Sequence, residues 1–154
     1  MSLAETRAVQ RHVSLDDYLR DEERSNRRHE YVDGAAYAMA GASNRHNELI
    51  GSLFAAVQPQ LKSPCRAHII EVKLRLQHQL ATTFYYPDFM VTCEVRQPKA
   101  QWIMAPSLII EVLSPSPERT DRTEKLMAYT QLPSLEAYVL VAQDETRVEA
   151  MLRS

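Results

Sequence analysis

Glycine is scarce in this chain, three in 154 residues, and none belongs to a glycine-rich loop of the kind that cradles a nucleotide phosphate. Cysteine is scarcer. Cys65 and Cys93 are the only two and form no C-x-x-C pair, which argues against a disulfide-dense secreted scaffold or a zinc ribbon and for a reducing, cytoplasmic setting. A chain of this length buries roughly 70% of its unfolded surface, so no covalent staple is expected. No apolar run approaches the ~20 residues that cross a bilayer, and the polar opening "MSLAETRAVQR" lacks a signal-peptide core. No membrane role is expected. Positive charge is not in excess: 18 Lys and Arg stand against 20 Asp and Glu, a formal net charge of −2, so nucleic acid could be held only by local or metal-assisted contacts. Familiar catalytic signatures are missing too. There is no G-x-S-x-G elbow and no H-E-x-x-H, the five histidines do not pair at ligand spacing, and Ser114 and Ser116 flank prolines with no base beside them.

What is present, 45% hydrophobic and 25% charged residues, describes one domain spanning 1–154. Residues 14–23, "SLDDYLRDEE", offer Ser14 as an N-cap, acids in the first turn and Leu15, Tyr18 and Leu19 on one side, which predicts a short helix. Asp33-Gly34 joins two short runs into a β-hairpin at 29–40. Ser43 or Asn44 caps a helix over about 44–60, with Ile50, Leu53, Phe54, Val57 and Leu61 at helical spacing. Three strands follow: "RAHIIEVKLRL", alternating apolar and charged; "FYYPDFMVTC", with Pro87 near its start; and "SLIIEVL" at 107–113, apolar on both faces apart from Glu111. A helix over 119–131 and the strand "EAYVLVAQ" close the pattern, and "TRVEAMLRS" reads as a strand stopped short, as in a truncated chain. Such alternation predicts a mixed α/β sheet.

A carboxylate on a strand covered on both faces costs several kcal/mol unless paired or metal-bound. Glu111 is that residue. Its same-face neighbours Ile109 and Leu113 carry no charge, so its partner must come from another element, and Asp88, opening the preceding strand, is the natural one. Adjacent strands lie about 4.8 Å apart, close enough for two carboxylates to share a hard cation such as Mg²⁺. Lys125 shares a helix face with Ala128, Tyr129 and Leu132, so it either points at buried acids or pairs with Asp121 on the surface.

A Pro-Asp opening one strand, a lone Glu on the next and a nearby Lys resemble the PD-(D/E)XK nuclease superfamily. The segments "YVDGAAYAMAGASNRHN", "YYPDFMV" and "IIEVLSPSPERTDRTEKLMAY" together resemble, more narrowly, the Uma-two family of restriction-endonuclease-like proteins. The resemblance implies a restriction-endonuclease-like mixed sheet core of helix, three strands, helix and strand, preceded here by the N-terminal helix and hairpin. It implies metal-dependent hydrolysis of DNA phosphodiesters with Mg²⁺ or Mn²⁺, Asp88 and Glu111 as metal-binding acids, and Lys125 in place of the motif lysine, whose position holds Leu113. Glu30 is implied as a further metal-reaching acid and His46 as an accessory group. Lys73, alternating with Glu71 onto one strand face, is a further candidate for the cleft. Arginines of the "RSNRR" connector, with Arg119 or Arg122, are candidates for flanking phosphates, and duplex cutting implies a homodimer. Against activity stand Leu113 and Ala35, where the family carries an acid; together they leave open a non-catalytic binding or assembly module.

Overall fold

The computed structural model describes residues 12–114 and 121–154, with backbone alone for Asp121 and Arg122. Helix α1, Leu15–Arg24, begins as its sequence dictates: the Ser14 side chain accepts the Asp17 N–H, and Asp16 and Asp17 complement the positive helix end. Strands β1 (His29–Val32) and β2 (Ala35–Ala38) form the expected hairpin, with Asp33 and Gly34 at φ values of 50° and 76°, the paired left-handed geometry of a two-residue turn. Helix α2, Asn44–Val57, is capped by Ser43, which accepts the His46 N–H, and runs into a 3₁₀ turn at Gln58–Gln60.

The long alternating segment is two strands, correcting the expectation of one. Strands β3 (Arg66–Ile69) and β4 (Lys73–His78) are separated by Ile70 and Glu71, both at positive φ, and lie in different sheets. The next segment divides in the same way, into β5 (Ala81–Tyr85) and β6 (Phe89–Thr92), with Tyr86-Pro87-Asp88 as the crossing. A two-residue strand β7, Trp102–Ile103, precedes β8, Pro106–Leu113. Only part of the helix expected at 119–131 is described: a π-helical turn at Asp121–Lys125 leading into α3, Leu126–Tyr129. Strand β9, Ala137–Ala142, is followed by β10, Val148–Leu152, a five-residue strand where the sequence read as a stub.

One sheet has the order β2-β1-β5-β4-β7 and the other β10-β9-β8-β6-β3, each antiparallel except for one parallel pair, β4 with β7 and β8 with β9. The main core lies between them: Leu74, Leu76 and Tyr85 from the first sheet meet Met90, Ile109, Tyr138 and Leu140 from the second, with Tyr129, Leu132 and Leu135 closing one side. Helix α1 covers the outer face of the first sheet through Tyr18, Tyr31 and Phe84, and α2 covers the outer face of the second through Leu53, Phe54 and Val57. Cys65 and Cys93 are joined in a disulfide, where the length of the chain predicts no covalent staple. Arg66 pairs with Thr92, so the antiparallel register of β3 and β6 sets these residues opposite each other on the next rung. Among the described residues no helix is long and apolar enough to cross a membrane.

Candidate active site

Strand register brings the two principal acids together. Phe89 of β6 pairs with Ile110 of β8, so continuing that antiparallel ladder by one residue sets Asp88 against Glu111. Their contacts are reciprocal: the Asp88 N–H donates to Glu111 Oε2 at 3.1 Å, and the Val112 N–H donates to Asp88 Oδ2 at 2.8 Å. Each carboxylate therefore takes the hydrogen bond that the neighbouring backbone would otherwise leave unmade. Glu111 is the more deeply placed, 2% exposed, and Glu111 Oε1 also accepts from the Tyr129 hydroxyl at 3.0 Å.

Three further predicted residues converge here. The Ser43 cap holds the first turn of α2 so that His46 Nε2 lies 3.2 Å from Asp88 Oδ2. Glu30, on the face of β1 next to Val32 and the main core, accepts the Tyr86 N–H at 3.4 Å. Lys125 joins the two sides: its ammonium is 3.2 Å from Glu30 Oε1 and 3.4 Å from Glu111 Oε1, and it lies 5.6 Å from the centroid of the Tyr85 ring. Two carboxylates, Glu30 and Glu111, face the Lys125 ammonium, while Asp88 faces His46. Burial, and secondarily the charge of Glu30, pushes the Tyr85 phenol up to about 12, and burial together with Glu111 holds that of Tyr129 well above its usual value. Both stay protonated, and Tyr129 stays a donor.

Lys73 is not part of this group. Leu74 points into the main core, so by strand alternation Lys73 faces α1, where Glu22, Arg28 and Glu23 are its charged neighbours and burial lowers its pKa. That corrects the expectation that Lys73 approaches the cleft. Glu71 is exposed and lies 3.7 Å from Arg28. Arg119 lies outside the described residues, as does the side chain of Arg122.

Sequence reasoning missed a second buried carboxylate, Glu22, 2% exposed. It accepts the His29 N–H at 2.9 Å and the Tyr86 hydroxyl at 2.8 Å, and its other oxygen lies 3.0 Å from His29 Nδ1. The signal was present: Glu22 falls seven residues after Leu15, on the apolar stripe of α1 with Tyr18 and Leu19. Because Tyr86 holds Glu22 by its hydroxyl and Glu30 by its backbone, this cluster fixes the start of β1 on which Glu30 sits.

The donors at the site are hard carboxylate oxygens, which suit Mg²⁺ or Mn²⁺. Among the described residues no three His, Cys, Asp or Glu side chains converge on one point as they stand. The space between Glu30 and Glu111 holds the Lys125 ammonium. The donor set thus fits a divalent ion in charge and hardness.

A helix, a three-stranded antiparallel unit, a helical segment and a parallel fourth strand, with paired acids where the second and third strands meet, define a restriction-endonuclease-like fold. The chain matches the Uma2 family, described as "Putative restriction endonuclease", over residues 15–154, and it belongs to that family. Two uncharacterized proteins of Synechocystis sp. (strain ATCC 27184 / PCC 6803 / Kazusa) are similar to it. One is 34% identical over 89% of this chain and 72% of its own length, the other 33% identical over 86% and 76%. A crystal structure described as "a putative nuclease belonging to DUF820", from Anabaena variabilis, superposes with a TM-score of 0.68 at 17% identity, covering 92% of this chain and 85% of that one. That likeness establishes the fold.

Proposed function

We propose that the protein is a metal-dependent endonuclease that hydrolyses phosphodiester bonds in DNA. The observation that carries this reading is the reciprocal pair Asp88, just before β6, and Glu111, on the neighbouring β8, with Lys125 within 3.4 Å of Glu111. Asp88 and Glu111 would hold Mg²⁺ or Mn²⁺, with Glu30 as a third acid; such an ion, when bound, lowers the pKa of its water and offsets charge on the phosphate. His46 orients Asp88, Tyr129 orients Glu111, and Lys125, 3.4 Å from Glu111, would position the attacking water or contact the phosphate. Cutting both strands of a duplex takes two sites, so the reading includes a homodimer.

The deciding experiment is plasmid nicking with Mg²⁺ and with Mn²⁺, beside Glu111→Ala prepared identically. The expected result is cleavage that needs both the metal and Glu111. Absence of cleavage by folded protein over many DNA substrates would instead mark a nuclease fold used for binding or assembly, the reading that Leu113, buried where the motif lysine belongs, would then favour.

A further inference from the structure

We infer that Lys125 is the resident counter-ion of the free protein, and that it must leave the space between Glu30 and Glu111 before a divalent cation can occupy the site. The inference rests on the metal-dependent reading and adds a competition to it.

Glu30 and Glu111 come from different sheets, and each presents its Oε1 to the same ammonium, at 3.2 and 3.4 Å. Both are largely removed from water, with side chains 19% and 3% exposed, so their mutual repulsion needs a local cation. Lys125 offers one positive charge to the two carboxylates it touches, so a divalent ion added to that pair with Lys125 still in place would leave an excess of positive charge there. A divalent ion placed between the same two oxygens meets strong like-charge repulsion from the ammonium at contact distance. The Lys125 stem has four rotatable bonds, and the residue ends the π-helical turn Asp121–Lys125, where the winding changes to the α-helix that begins at Leu126. Tyr129, one turn on, is fully buried against Tyr85 and Tyr138 and holds Glu111 Oε1 independently of the lysine. The carboxylate therefore stays in place when the ammonium departs. Lys125 offsets the repulsion between the two acids and so holds them close in the free protein, and is released toward the substrate when a divalent ion takes over.

The test is Mn²⁺ binding without DNA, by calorimetry and by the rise in melting temperature, for wild type and Lys125→Met. Removing the competitor is expected to tighten Mn²⁺ binding by about tenfold or more and to enlarge the melting-temperature gain, while a lysine that helps to hold the metal site together would give the opposite sign. If wild type binds Mn²⁺ and folded Lys125→Met binds it no more tightly, the competition is wrong and the metal-dependent reading stands. If neither binds at millimolar Mn²⁺, both fall. Should Lys125→Met fail to fold, Mg²⁺ titration of wild type followed at the Lys125 side-chain NMR signals decides: a saturable change in those signals supports release, and unchanged signals under bound Mg²⁺ overturn it.

Discussion

Tyr129 shows how one buried hydroxyl sets the state of a carboxylate. It is fully buried, its phenol is held protonated by burial and by Glu111, and it donates to Glu111 Oε1. Tyr129→Phe keeps the ring packing against Tyr85 and Tyr138 but removes the donor, and a buried acceptor left short costs about 1–3 kcal/mol. Urea denaturation is expected to show a loss of that size, with a fall in any cleavage rate as Glu111 loses its orientation. Lys73 provides the contrast. Since it faces α1 and burial lowers its pKa, Lys73→Met is expected to leave cleavage unchanged and to leave stability at neutral pH equal or higher. A large loss of nicking in folded Lys73→Met would show that it reaches the substrate after all.

At the scale of elements, α1 is tied to the site by a carboxylate and not by its apolar stripe alone. Glu22 takes hydrogen bonds from the His29 backbone and the Tyr86 hydroxyl, and Tyr86 in turn donates its N–H to Glu30. Glu22→Ala would strand the buried Tyr86 hydroxyl, at a cost of about 1–3 kcal/mol, and leave the half-buried His29 N–H without its carboxylate. The expected outcome is a clear drop in denaturation midpoint and weaker Mn²⁺ binding than wild type, because β1 no longer presents Glu30 in one position. A midpoint within experimental error of wild type would show that water replaces the carboxylate at no cost. The hairpin, α1 and α2 were legible because their signals are local: Asp33-Gly34, Ser14 and Ser43 act within four residues. The divisions at Ile70–Glu71 and Tyr86–Asp88 were not, because alternation of apolar residues is the same whether a segment stays in one sheet or passes into another.

For the molecule as a whole, two stability responses follow from buried groups. Tyr85 is raised to about 12, and burial also raises Tyr18, Tyr86 and Tyr129. These phenols ionise more readily when unfolded, near the ordinary value of 10.0, so their contribution to stability is complete below that pH and is lost as pH climbs through about 12. Melting temperature is expected to fall across this window, with tyrosinate absorbance from these residues rising only as the protein unfolds. The disulfide is the second response. It closes a separation of 28 residues between β3 and β6, and a link of that length typically contributes about 2–4 kcal/mol. The double variant Cys65→Ser, Cys93→Ser is expected to lose that amount in chemical denaturation, and a reductant to have no further effect on it.

The sequence by itself determined which residues could do chemistry: an isolated acid on an apolar strand, an acid after proline and a lysine on an apolar helix stripe are conspicuous because burying charge is costly wherever it happens. It also determined the class of sheet, through the alternation of strands and helices. Only the tertiary structure decided that Lys125 lies between Glu30 and Glu111, that Tyr129 and Glu22 complete the network, that Lys73 turns away to α1, and that Cys65 meets Cys93. Each of these depends on which strands become neighbours and which face each residue takes, and those are set by the packing of two sheets against one core, not by any local run of residues.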